Sequence, residues 1–161
     1  MSTIFVTGAA GYIGSHVVLD LLDHGYQVVG VDDLSNSYAP PQRKGFTFYQ
    51  GDIGDQVLLA DILTRHDDIT ACIHFAGSIY VSESVERPDL YYENNVYKSC
   101  MLFHACQQRG INNFVFSSSA SVYGEAQQDV IEEDHSLSPI SPYGRTKLLG
   151  ELILQDMAKN T

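Results

Sequence analysis

Tyr143 and Lys147 stand four residues apart in the run Tyr143-Gly144-Arg145-Thr146-Lys147, inside a stretch from Pro142 to Lys159 that reads as helix. At that spacing two side chains lie on one helical face. A phenol is a poor base at its ordinary pKa of about 10. An ammonium beside it stabilises the phenolate and lowers that value, so the pair reads as a proton-transfer site. A second group of candidates is Ser117-Ser118-Ser119-Ala120-Ser121, directly after the apolar triplet Phe114-Val115-Phe116. If the triplet is a strand of a parallel sheet, these hydroxyls lie at its carboxyl end, where open α/β sheets bind ligands. Ser119 is the hydroxyl expected to bond the oxygen that Tyr143 deprotonates, whereas Ser117 and Ser121 serve equally well as turn residues. A Tyr-x-x-x-Lys pair by itself is common by chance, and its meaning depends on what else the chain carries.

What else it carries is a glycine loop. Thr7-Gly8-Ala9-Ala10-Gly11-Tyr12-Ile13-Gly14 follows the apolar run Ile4-Phe5-Val6 and opens a helical pattern. A glycine triplet in that strand–turn–helix setting is a dinucleotide-binding signature. Gly8 suits the tight turn, Gly11 lets backbone approach a pyrophosphate, and Gly14 lets helix and strand pack closely. The helix N-terminus then offers free N–H groups and a positive dipole end to the anion. Asp32 closes the second strand, where a carboxylate accepts from the adenosine ribose hydroxyls and repels a 2′-phosphate, favouring NAD over NADP. Asp33 either shares that role or faces water. Asp52 and Ile53, after the third strand, suit the adenine: the carboxylate toward the exocyclic amine and Ile53 against the ring. Asp52 also fits a plain turn after Gly51. The positive nicotinamide of an oxidised cofactor would favour the Tyr143 phenolate as Lys147 does.

The elements that must position these groups alternate. Strands are expected at Ile4–Val6, Val28–Val31, Phe46–Tyr49, Ala71–Phe75 and Phe114–Phe116. Helices are expected at Tyr12–His24, Val57–Leu63, Pro88–Arg109 and Pro142–Lys159, with a polar loop over Ser35–Lys44. Such alternation predicts a Rossmann-type, doubly wound parallel sheet with helices on both faces and right-handed crossovers. The expectation is one dinucleotide-binding domain over residues 1–161, ending before the sheet is complete and before any substrate domain.

Composition narrows the function classes. The 161 residues are 44% hydrophobic with a net charge of −11, and the few basic residues form no stripe for a nucleic-acid backbone. No apolar run is long enough to span a membrane, and the N-terminus lacks a basic region ahead of an apolar one, which favours the cytoplasm. Cys72, Cys100 and Cys106 form no Cys-x-x-Cys; Cys72 reads as a buried free thiol, and neither a disulfide nor a zinc site is expected. Asp129, Glu132, Glu133 and Asp134 read as a solvated loop and not as a metal site.

Together, Thr7–Ser15, His74-Phe75-Ala76-Gly77, Asn94-Asn95, Ser117–Gly124 and Ser141–Lys147 resemble the extended short-chain dehydrogenase/reductase family, and within it the UDP-glucose 4-epimerases. The Gly8–Gly11 spacing, one residue wider than Gly-x-Gly, is that family's form. The resemblance spans nearly the whole chain. It implies Ser119, Tyr143 and Lys147 as the catalytic trio. It implies Gly8, Gly11, Tyr12, Ile13, Gly14, Asp32, Asp52, Ile53, Phe75, Ala76, Gly77, Asn94 and Ser117 around NAD, with Tyr143 and Lys147 also touching it. It implies epimerisation at C4 of a UDP-hexose through a transient 4-keto sugar, and a homodimer built on the helices at 88–109 and 142–159. Another nucleotide-sugar epimerase or a reductase would share these motifs, and so would a short non-catalytic NAD-binding protein. Ala120 and Ser121 stand where the family's dehydratases carry acidic residues, which counts against that reaction. Ile79 stands where many of the epimerases have a lysine. A chain lacking the second domain is expected to expose apolar surface and to self-associate.

Overall fold

A computed structural model describes residues 2–125 and 130–159. They form two compact units. One runs up to Ala76 and resumes over Met101–Ser117; the other comprises Gly77–Cys100 and the chain from Ser118 onward.

The first unit holds a five-stranded sheet in the order β3-β2-β1-β4-β5, with β1 at Thr3–Thr7, β2 at Gln27–Asp32, β3 at Phe46–Gln50, β4 at Ile69–His74 and β5 at Phe114–Phe116. Every pairing is parallel. Parallel strands need crossovers and bury both faces, so they read as continuous apolar runs without alternation. β1 is buried at all five positions. The register sets Thr7 opposite Val31 on one side and His74 on the other, so three strands end at one level.

Strand geometry points successive side chains to opposite faces. Ile4, Val6, Val28, Ala71 and Ile73 pack with Val18, Leu21 and Leu22 of helix α1 (Tyr12–Asp23). From β4, Cys72 and His74 take the other face. There His74 stacks on Phe116 and meets Phe103 edge-on, a residue of α5 (Lys98–Gln108). Tyr49 lies on that side too, against His66 at the end of α2 (Gln56–Arg65). Both faces of the sheet are therefore covered by helices, as the strand–helix alternation predicted. Burying a Val, Leu, Ile or Phe side chain stabilises by about 1.5–3 kcal/mol. Phe5, Val6, Val18, Leu59, Ile62, Leu102 and Phe103 are each fully buried.

Cys72 and Cys106 are both buried free thiols, and Cys100 is exposed. The thiol of Cys72 lies well above its ordinary range, raised first by its hydrogen bond with Cys106 and then by burial. The sequence does not reveal this pairing, since the two residues lie on β4 and α5.

One stretch, which begins in the second unit and ends in the first, departs from expectation. The expected single helix over Pro88–Arg109 is instead α4 (Pro88–Tyr92), a π-helical turn (Glu93–Tyr97) and α5. A further helix, α3 (Val81–Glu86), precedes it. Asn94 and Asn95 lie in the π turn, where Asn95 hydrogen-bonds both the N–H and the carbonyl of Ser78. Such single π turns occur mostly inside α-helices and often at functional sites. The second unit is completed by a 3₁₀ turn (Ala120–Val122) and the long helix α6 (Pro142–Ala158), capped by Ser141.

Candidate active site

In the first unit the chain turns sharply between β1 and α1. Gly8 has φ +67°, and a Cβ there would lie 2.7 Å from the Ala76 nitrogen. At Gly14 a Cβ would lie 2.0 Å from the Gly8 carbonyl oxygen. Only glycine fits either place. Gly11 is the N-cap of α1, and no side chain caps that helix, whereas Asp55 caps α2. The N–H groups of Tyr12, Ile13 and Gly14 thus lie in a first turn with no acceptor four residues back. Tyr12 and Ile13 are exposed.

Asp32 is buried and does more than the sequence disclosed. Its carboxylate accepts from the Ala10 N–H (3.0 Å), the Leu34 N–H (2.9 Å) and the Ser37 hydroxyl (2.6 Å). It therefore ties the glycine loop to the loop after β2. A carboxylate offers about four acceptor sites, so capacity remains for a ligand hydroxyl. Asp33 is exposed and caps Ser35. Asp52 accepts from the Gly54 N–H in a tight turn, and Ile53 is buried. Arg43 pairs with Asp23 of α1.

At the end of β4, the Phe75 N–H donates to the Thr7 carbonyl. The Ala76 N–H donates to the Thr7 hydroxyl, which also meets Nδ1 of His74 at 2.6 Å. The Ser117 N–H donates to the His74 carbonyl. Sequence reasoning placed Phe75, Ala76 and Ser117 at this strand end; it missed that Thr7 and His74 fix their backbone, because that bond joins residues distant in the chain.

In the second unit, Tyr143 and Lys147 share one face of α6. The Lys147 ammonium lies 5.9 Å from the centre of the Tyr143 ring. Lys147 is only 5% exposed, and burial pulls its pKa down to about 8. Ser119 is the N-cap of the 3₁₀ turn, its hydroxyl accepting from the Ser121 N–H. That turn packs on the start of α6: a Cβ on Gly144 would lie 2.6 Å from the Ser121 carbonyl oxygen. Ser118 donates to Glu151 of α6. Asn94 donates to the Ser78 hydroxyl, and a Cβ on Gly77 would approach the Asn95 amide oxygen to 3.0 Å. Ile79 is exposed.

The buried lysine carries a pH signature. A lysine whose folded pKa lies near 8 has shed a proton that the unfolded chain keeps up to about 10.5. Below pH 8 both states are charged and the burial cost is fully present. Between pH 8 and 10.5 that cost is progressively relieved, so stability from this group rises with pH, by at most about 3 kcal/mol. Urea titrations of wild type and Lys147→Met at pH 7 and pH 10 are expected to differ most at pH 7, with the variant the more stable. Equal differences at both pH values would contradict this.

Among the described residues no helix is long and apolar enough to cross a membrane, and no group of three His, Cys, Asp or Glu side chains could hold a metal ion. Glu132, Glu133 and Asp134 are exposed, while Asp129 lies outside the described residues.

The family model for NAD dependent epimerases and dehydratases matches residues 4–161. The chain belongs to that family. It is 44% identical to the UDP-glucose 4-epimerase of Bacillus subtilis over 96% of its own length and 47% of that protein's. Among solved structures it superposes on UDP-glucose 4-epimerase of Brucella ovis in complex with NAD, with a TM-score of 0.91 and 40% identity, covering 99% of this chain and 48% of that one. The enzyme of Bifidobacterium longum, in complex with NAD+ and UDP, gives a TM-score of 0.93 and 34% identity, covering 99% and 50%. The chain spans about half the length of these family members.

Proposed function

We propose that this chain carries the cofactor-binding and proton-transfer residues of an NAD-dependent enzyme that interconverts UDP-hexoses epimeric at C4. The observation that carries the reading is the buried Lys147 ammonium held against the Tyr143 ring on one turn of α6, in a chain whose relatives are UDP-glucose 4-epimerases.

The residues of the first unit fit a dinucleotide. The uncapped first turn of α1 and the Cβ-free Gly11 suit a pyrophosphate. Asp32 retains acceptor capacity for ribose hydroxyls, and its carboxylate would repel a 2′-phosphate, which favours NAD. Asp52 and Ile53 would serve the adenine, and Phe75, Ala76 and Ser117 the strand end. Gly77 and Asn94 are the cofactor residues proposed for the second unit. When bound, NAD would take up and return the hydride at C4.

The chain's own chemistry is proton movement. Tyr143 as phenolate would take the proton of the sugar 4-hydroxyl as the 4-keto sugar forms, and return it after the sugar has turned over. Lys147, 5.9 Å from the ring centre, would stabilise that phenolate by its positive charge, and Ser119 would donate a hydrogen bond to the same oxygen. The net redox change is zero. We also propose a homodimer through the helical stretch over residues 88–109 and through α6, where Tyr97 and Leu152 are exposed.

Mass spectrometry of the purified protein and an assay with UDP-galactose test the reading. Bound or readily acquired NAD together with UDP-glucose formation is the expected result. Turnover requiring added NADH or NADPH in stoichiometric amount would overturn it in favour of a reductase.

A further inference from the structure

Helix α6 begins with an unusual division of its orphan N–H groups. The first N–H groups of any helix lack an intrahelical acceptor. Pro142 has none to satisfy, and the Gly144 N–H goes to the Ser141 hydroxyl at 3.1 Å. The Tyr143 N–H is left, and its acceptor comes from outside the helix: the hydroxyl of Ser84 on α3, at 3.1 Å. Ser84 is fully buried. Its one proton goes to the Val81 carbonyl at 2.6 Å, so its oxygen faces Tyr143 as an acceptor. A hydroxyl is costly to bury unless both roles are met, and here both are.

Helix α3 has six residues, too few to stand alone, and Tyr91 of α4 anchors it. The Tyr91 hydroxyl accepts from the Tyr80 N–H at 2.9 Å and lies 2.7 Å from both the Tyr80 carbonyl and the Glu83 carboxylate. Burial first, then Glu83, pushes the Tyr91 phenol up to about 12, so it stays protonated. Its ring meets the Tyr143 ring edge-on at 6.4 Å. On the other side of Tyr143, the Thr146 hydroxyl donates to the Tyr143 carbonyl and accepts from Asn95.

We infer that Ser84 is a positioning residue for Tyr143, fixing the main chain of the reactive tyrosine from a neighbouring helix. The inference rests on Tyr143 being the proton-transfer group. Ser84 bonds the Tyr143 main chain and not its phenol, so its removal should impair turnover more than substrate binding. Misplacing a reacting group by about 1 Å is enough to cost on the order of a hundredfold in rate.

The test is made in the intact protein, reading UDP-galactose turnover and amide hydrogen exchange together. Ser84→Ala is expected to lower kcat about tenfold while KM moves less than about twofold. It is also expected to speed exchange at the Tyr143 amide at least about tenfold relative to the separately capped Gly144 amide. Ser84→Cys, close in shape but a weak acceptor, should give the same pattern and serves if the alanine variant does not fold. Ser84→Thr, which restores a hydroxyl, should return protection to Tyr143. Unchanged Tyr143 exchange in the alanine or cysteine variant would overturn the inference. So would an unchanged kcat in an active protein. A wild-type protein that exchanges as described yet never turns over UDP-galactose would instead overturn the epimerase reading, and the role of Ser84 in catalysis with it.

Discussion

Tyr143→Phe is expected to lower kcat for UDP-hexose interconversion by about 10²–10⁴-fold, the range that one positioned acid–base group contributes. The substitution deletes a single oxygen. It keeps the ring that meets Tyr91 edge-on and both main-chain contacts, from the Tyr143 N–H to Ser84 and from the Thr146 hydroxyl to the Tyr143 carbonyl. Fold and NAD content should therefore stay as in wild type, and the loss should fall on kcat with little change in KM. Steady-state kinetics beside thermal melts and cofactor analysis check this. A variant retaining more than about a tenth of wild-type turnover would remove Tyr143 from the mechanism.

Gly14→Ala should produce an effect as large by another route. A Cβ at this position meets the Gly8 carbonyl oxygen at 2.0 Å, with Ala9 also close. These are backbone atoms of the glycine loop and cannot rotate away. Either α1 moves off the turn or the turn opens, and both displace the first-turn N–H groups that would meet the pyrophosphate. Affinity for NAD is expected to fall at least about a hundredfold, which corresponds to about 2.7 kcal/mol. Isothermal titration with NAD checks this. Gly25→Ala is the control: a Cβ there meets nothing within 4 Å, though its φ of +86° adds local strain, so stability should fall somewhat with NAD affinity retained.

Much of this architecture is legible in the sequence because it rests on local patterns. All five strands overlap short apolar runs: β1 and β2, inside the sheet, are buried almost throughout, and the edge strands β3 and β5, though partly exposed, keep their aromatic residues. The glycine loop is legible because Gly8 and Gly14 obey steric demands that admit no other residue. The Tyr143–Lys147 pair is legible because helical spacing alone brings the two together.

What escaped the sequence depends on contacts between distant residues. Residues 88–109 carry one helical periodicity, and periodicity does not reveal that Asn95 hydrogen-bonds the Ser78 main chain from within a π turn. Helix α3 is short and mixed in composition, so nothing local marks it. Asp32 was readable as a ribose partner; that it also clamps Ala10 and Ser37 follows only once β1 and β2 lie side by side. Ser84 gives no signal at all, since its importance comes from an N–H that Pro142 and Ser141 leave unsatisfied on another helix.

The central claim is transient oxidation at C4 with return of the same hydride. UDP-galactose carrying deuterium at C4 tests it directly, with the product read by mass spectrometry and proton NMR. The expected product is UDP-glucose that keeps the deuterium at C4, formed without accumulation of reduced cofactor. Product whose C4 label has exchanged for solvent hydrogen would contradict it.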